Sequence, residues 1–201
     1  MKRIDTLEEL HSLYGTPGDA ALHKVADRLT SEYAAWIERA RFCVLSTVGP
    51  EGTDASPRGD DGPVVTPLDE HRLALPDWRG NQRLDSLRNI VRDPRVSLMF
   101  MVPGSTNVIR VNGTAELTAD AGLCARFARK GVQPATVIVV RIAEVYSQCS
   151  RAILRARLWS SGDESAGLPT VGQILAAMTD GVVVGEVYDA EWSDRASKTM
   201  W

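Results

Sequence analysis

The clearest pattern in this chain is a strict alternation of small or apolar residues with polar residues between positions 109 and 117. Ile109 starts one face of an extended strand and Arg110 starts the other, because successive side chains of a strand point to opposite sides. An apolar run at 96–102 precedes this strand, and a long apolar run at 135–146 follows it. Strands of this kind, joined mostly by hairpin-length turns, predict an antiparallel sheet.

The rest of the chain adds short strands and a few helices. Further strands are predicted at 42–48, 53–58, 64–66 and 73–75. Helices are predicted at 5–14, at 17–40, from the 79–86 block to about 92, at 120–130, at 168–178 and in the tail from 189 to 201. Only one helix is inserted between the early strands, whereas a doubly wound sheet would alternate strand and helix throughout. The predicted class is therefore α+β, mainly β, with an antiparallel barrel and flanking helices.

Composition limits the function classes. The chain has 201 residues and a net charge of −3, which does not favour nucleic-acid binding. We expect a barrel domain with N-terminal helices over 1–159 and a C-terminal linker and helical extension over 160–201. No apolar run is long enough to span a membrane, and an acidic N-terminus is unlike a signal peptide. Three widely spaced cysteines form no CxxC pair, so a reduced cytoplasmic setting is the default expectation.

The stretch from residue 73 to 90 is the most informative about function. It reads as a short apolar strand, a polar turn and a helix, and Arg79, Asn81, Arg83 and Ser86 fall near the predicted helix start. Free backbone N–H groups and a partial positive charge make a helix N-terminus an anion site, and guanidinium groups suit a phosphate. A solvated helix start with surface arginines explains the same residues equally well.

Two other segments contain arginines of interest. One is Ser56-Pro-Arg-Gly-Asp60 at a strand end, and the other is the basic stretch 150–159, in which Trp159 follows Arg155 by four residues. The second segment also fits a basic helix whose tryptophan packs on the barrel. The phosphate-loop and nucleophile-elbow motifs are missing, and the histidines are scattered. A bound cofactor would explain an enzyme with so little acid–base equipment.

The order of these motifs resembles the pyridoxamine 5′-phosphate oxidase-like family, in particular an uncharacterised bacterial subgroup. The resemblance rests on Ser56-Pro-Arg-Gly-Asp60, the block 79–90, Asp93-Pro-Arg-Val96 and 110–117, and it covers roughly residues 5–175. It implies an FMN-binding split barrel that forms a homodimer, with the flavin in the groove between the subunits. It also implies an FMN-dependent oxidoreductase that acts on a small molecule.

The resemblance assigns cofactor-binding roles by position. The residues implied are Arg58, Arg79, Gly80, Asn81, Arg83 and Ser86 at the phosphate and ribityl chain, Pro76 and Asp77 near the isoalloxazine edge, and Arg155 and Trp159 closing the site. Arg155 and Trp159 would come either from the same subunit or from the second one. The chain lacks the Ser-Arg-Lys turn and the C-terminal Arg-x-His of true pyridoxamine phosphate oxidases, so the substrate stays open. A non-catalytic carrier or sensor of flavin, deazaflavin or haem is the alternative.

Overall fold

A single seven-stranded sheet forms the centre of the protein, and every strand pair in it is antiparallel. The computed structural model describes residues 1–201. The strands are β1 (Phe42–Gly49), β2 (Gly52–Gly59), β3 (Thr66–Asp69), β4 (Arg72–Asp77), β5 (Arg95–Met101), β6 (Val108–Thr118) and β7 (Thr136–Gln148). Their spatial order is β2-β1-β5-β6-β7-β4-β3. Because β2 and β3 do not pair with each other, the barrel is split, as predicted.

Eight helices flank the sheet. They are α1 (Leu7–Ser12), α2 (Asp19–His23), α3 (Ser31–Arg39), α4 (Asp85–Arg92), α5 (Ala121–Arg126), α6 (Arg151–Ala156), α7 (Val171–Met178) and α8 (Gly185–Lys198). None of these helices combines the length and the apolar character needed to cross a bilayer.

The alternation that predicted β6 is confirmed by burial. Ile109, Val111 and Ala115 are at most 6% exposed, whereas the residues between them are half-buried or exposed. The pairing of β6 with β7 shifts register between Asn112 and Gly113. A Cβ on Gly113 would lie only 2.0 Å from the carbonyl oxygen of Arg141, so the strands approach too closely there for any other residue.

The core lies on the inner face of the sheet. Its 20 buried residues come mainly from the central strands, with Phe100 and Leu98 of β5 at most 2% exposed. Ile37 of α3 and Ile90 of α4 join the same cluster. Burial of these apolar side chains supplies the main driving force for closing the barrel, and it fixes the position of α4 beside the sheet.

The predicted helix over 17–40 is wrong, because the chain leaves the helical path in the middle. The backbone of Ala26 exchanges two hydrogen bonds with Val145 of β7, at 3.0 and 2.8 Å. Helix α3 then starts after Thr30, whose side chain accepts a hydrogen bond from the N–H of Tyr33. A contact with a distant strand therefore outweighs the helical spacing of this segment.

The short strand predicted at 64–66 is also displaced. β3 occupies Thr66–Asp69, and the buried Val64 and Val65 precede it in a loop. The N–H of Val64 donates instead to the carbonyl of Ala40, at 2.9 Å. This loop therefore uses its apolar side chains to fill the core without pairing as a strand.

The C-terminal helices α7 and α8 pack closely against each other. Gly172 and Gly185 face each other so tightly that a Cβ on either one would lie within 2.6 Å of the other's carbonyl oxygen. Asp189 accepts hydrogen bonds from the Thr170 hydroxyl and the Gly172 N–H. α8 begins at Gly185, four residues before the start expected for the tail helix, and ends at Lys198. The division at residue 159/160 stays a prediction.

Candidate functional site

A cavity of about 1220 Å³ opens beside the polar turn that the sequence singles out. Its walls are β2, the end of β4, the loop 78–84, the start of α4, the segment 132–135 and the last residues of the chain, from 198 onward. Segments that are distant in sequence thus line the same cavity.

Arg58 and Asp77 join two strands at the floor of this cavity. An Arg58 guanidinium nitrogen lies 2.5 Å from Asp77 Oδ1, and the two side chains are only 19% and 14% exposed. Arg58 Nε is buried and has no hydrogen-bond partner. Arg58 is therefore held by one carboxylate and keeps a donor unused. Cys43 pairs with Arg58 across β1 and β2, and burial raises the pKa of its thiol to about 12.

The polar turn lies before α4 rather than within its first turn. Gln82 and Leu84 both have φ near +60°, a conformation uncommon for residues other than glycine, and α4 begins only at Asp85. Asn81 Oδ1 accepts the N–H of Arg83, at 3.1 Å, which fixes the bend. The expectation that the whole block lies at the helix start is therefore corrected, because two left-handed residues delay the helix.

The cations at this wall differ in how they are paired. Arg83 lies 2.8 Å from Asp85, and its side chain is 74% exposed. Arg79 makes no ion pair and no hydrogen bond, whereas every other cation that lines the cavity has a carboxylate partner. Arg79 is consequently the cavity-lining charge that is free to bind an anion.

Ser86 has a structural contact in addition to its place at the cavity. It is 4% exposed, and its hydroxyl donates to an Asp54 carboxylate oxygen at 2.8 Å. This bond ties the first turn of α4 to β2. Since the hydroxyl has already donated its proton, Ser86 offers the cavity only its oxygen lone pairs and its backbone N–H.

Trp78 separates the main cavity from a smaller one of about 250 Å³. Its indole N–H donates to Asp60 at 3.0 Å, and Asp60 is also 3.7 Å from a guanidinium nitrogen of Arg129. The Asp60 side chain is only 3% exposed. These contacts hold Trp78 in the wall common to both cavities.

The structure brings together most of the residues that the sequence predicted. Those that line the main cavity are Arg58, Pro76, Asp77, Arg79, Gly80, Asn81, Arg83 and Ser86. Arg155 and Trp159 do not line it, and the Trp159 indole N–H donates to the carbonyl of Ser105 at 2.7 Å. The prediction for these two depends on a second subunit and stays a prediction.

The sequence reasoning missed other cavity residues, namely Asp54, Asp60, Trp78, Lys198, Met200 and Trp201. Asp60 and Trp78 lie within the segments 56–60 and 73–90 that the sequence singles out, so their position in sequence could have suggested them. The C-terminal residues carried no such signal. No group of three or more His, Cys, Asp or Glu side chains is arranged to hold a metal ion.

The chain belongs to the pyridoxamine 5′-phosphate oxidase family, whose model matches residues 29–149. This match spans β1 to β7 and includes the turn that lines the cavity. No curated protein matches the chain.

Solved structures with a similar fold share little sequence. HupZ of Group A Streptococcus is 16% identical, with 59% of this chain and 93% of that chain covered and a TM-score of 0.48. A candidate pyridoxamine 5′-phosphate oxidase of Lactobacillus delbrueckii is 23% identical, with 60% and 95% covered and a TM-score of 0.48. An F420 reductase is 20% identical, with 58% and 98% covered and a TM-score of 0.43.

Proposed function

We propose that the protein binds FMN in the main cavity and acts as an oxidoreductase on a small molecule. The observation that carries this proposal is the unpaired Arg79 in the wall of a cavity that the start of α4 also lines. A free guanidinium and the free N–H groups of a helix start both favour a phosphate group.

The cavity meets the requirements of this cofactor in charge and in size. The phosphate needs donors, and the unpaired Arg79 guanidinium and the free N–H groups at the start of α4 supply them. Cavities that hold small ligands typically measure about 300–1000 Å³. The volume of about 1220 Å³ therefore leaves room for a flavin together with a small substrate.

The chain itself would bind and orient rather than transfer protons through histidine. None of His11, His23 and His71 lines the cavity. Asp77 is fixed by Arg58 and Trp78 is fixed by Asp60, so the wall between Pro76 and Trp78 is rigid. Bound FMN would supply the hydride-accepting ring, and these side chains would hold the substrate beside it.

We also propose a homodimer whose second subunit completes the site. Leu154, Leu158 and Trp159 are 57%, 46% and 42% exposed, which is a large apolar surface for one short segment. Burial of this surface against a second copy of the chain would place the Arg155 of each subunit near the dimer interface. This arrangement agrees with the closing role predicted for Arg155 and Trp159.

An FMN titration followed by visible absorbance and flavin fluorescence tests the proposal. Arg79→Ala should weaken binding by about 10- to 100-fold, the value of a hydrogen bond to a charged group. Arg141→Ala is the matched control, because Arg141 is exposed, makes no ion pair and lies outside the cavity. A wild-type protein that binds no FMN would refute the proposal. Bound FMN that NAD(P)H cannot reduce, and that no substrate reoxidises faster than oxygen does, would favour the carrier or sensor instead.

A further inference from the structure

We propose that Trp201 is a ligand-binding residue of the main cavity and that Lys130 positions it there. This inference rests on the proposed function, since the planar ligand that the indole would contact is the flavin. The C-terminal segment carries Met200 and Trp201 into the wall of the cavity that the polar turn 78–84 also lines. No sequence motif assigns this segment a role.

A tight hairpin supports the tryptophan. Arg129 and Val132 exchange two backbone hydrogen bonds, both 2.8 Å, across a turn whose central residues Lys130 and Gly131 have φ of +49° and +81°. Lys130 Nζ lies 4.7 Å from the centre of the Trp201 ring. A cation at this distance attracts the face of an indole. Lys130 therefore holds the ring beside the residues that follow the hairpin, 132–135, which also line the cavity.

The helix that leads to Trp201 is itself anchored. α8 packs on α7 through the close approach of Gly172 and Gly185, and Asp189 accepts hydrogen bonds from the N-terminal end of α7. Within α8, the Arg195 guanidinium lies 4.5 Å from the ring centre of Tyr188. Trp201 thus follows two helices that are packed firmly against each other. Because the position of the indole is already restricted, less entropy is lost when it contacts a ligand.

The chemistry of this wall suits a planar aromatic ligand. The polar turn presents guanidinium and amide groups, whereas Val132, Met200 and Trp201 present apolar atoms. The same cavity therefore offers polar groups to a phosphate and apolar atoms to a planar ring. Trp201 is half-buried, so one part of the indole is packed and another part is available to a ligand.

The test compares Trp201→Ala with Trp192→Ala. Both variants remove an indole from the same C-terminal region, but Trp192 is 54% exposed and does not line the cavity. FMN dissociation, measured by stopped-flow fluorescence, should be about tenfold faster in Trp201→Ala, the equivalent of about 1.4 kcal/mol, and unchanged in Trp192→Ala. Lys130→Ala should accelerate release in the same direction, and Lys130→Arg should restore the wild-type rate. Equal dissociation rates in Trp201→Ala and wild type would overturn the inference.

Hydrogen exchange without ligand distinguishes this inference from the proposed function. The amides of residues 130–133 and 135 should exchange faster in Trp201→Ala than in wild type, and Trp192→Ala should leave them unchanged. If wild type binds no FMN, the proposed function fails, and the ligand-binding role of Trp201 fails with it. Faster exchange in Trp201→Ala would then still confirm that Trp201 packs on the hairpin. If FMN binds but neither release nor exchange responds to Trp201→Ala, the inference fails alone.

Discussion

Replacement of Arg58 by alanine tests the ion pair at the cavity floor through stability alone. The variant leaves the Asp77 carboxylate, which is 14% exposed, without its cation. Loss of one partner of a buried pair costs about 3–5 kcal/mol. Because the cavity lets water reach Asp77, we expect the lower end, about 3 kcal/mol in the free energy of unfolding. For a domain of this size that loss corresponds to a fall in Tm of about 6–12 °C.

Urea unfolding of the ligand-free protein, followed by circular dichroism, measures this change. Asp77→Ala and the double variant complete a thermodynamic cycle, in which the double variant should lose less stability than the two single losses added together. Arg141→Ala controls for the removal of any exposed arginine. A strictly additive double variant, or an Arg58→Ala protein as stable as wild type, would show that the pair makes no such contribution.

Three further predictions concern the bond between α4 and β2, the crowded strand pair and the thiols. Ser86→Ala should lower the free energy of unfolding by about 1–3 kcal/mol, since it removes a hydrogen bond to a carboxylate; urea unfolding at unchanged m-value checks this. Gly113→Ala should lower the free energy of unfolding by about 3 kcal/mol, because the added Cβ would overlap a backbone oxygen. Gly80→Ala should leave the free energy of unfolding unchanged in the same assay, because no atom lies near the added Cβ. In the native protein a thiol-reactive disulfide should label Cys149, because this thiol is exposed and a backbone N–H is the chief cause that lowers its pKa. The same reagent should not label Cys43, because burial raises the pKa of that thiol to about 12.

These predictions have clear contrary outcomes. A Ser86→Ala variant as stable as wild type would mean that the hydroxyl adds nothing to the attachment of α4. A stable Gly113→Ala protein would mean that the strands can move apart at the register shift. Native labelling of Cys43 at pH 8 would contradict its burial. Folding raises the pKa of the Cys43 thiol. The contribution of this thiol to the free energy of unfolding is therefore fully present at pH values below the pKa of the unfolded thiol, and it is lost as the pH rises toward about 12.

The sequence pattern predicted those strands whose two faces differ in burial. β6 follows from its alternation, because one face is buried and the other is not. The helix over 17–40 could not be corrected from sequence, since the hydrogen bonds of Ala26 are made to Val145, more than a hundred residues away. The start of α4 was misplaced for a local reason, because Gln82 and Leu84 adopt positive φ although neither is glycine.

In the candidate site, too, contacts between residues distant in sequence could not be predicted. The wall formed by the turn 78–84 could be predicted, because its residues are contiguous and chemically distinctive. The bond between Ser86 and Asp54 joins residues from separate elements, and no spacing rule connects them. The packing of Trp201 on Lys130 is likewise a tertiary contact. Sequence therefore indicated the residues of the polar turn, but not the distant residues that complete the cavity.

The ratio of FMN affinity to riboflavin affinity tests the central claim most directly, because the two ligands differ only in the phosphate. If Arg79 and the start of α4 hold the phosphate, the wild-type protein should bind FMN at least about tenfold more tightly than riboflavin. Arg79→Ala should reduce this preference, and Arg141→Ala should preserve it. Equal affinity of the wild-type protein for FMN and riboflavin would contradict the claim.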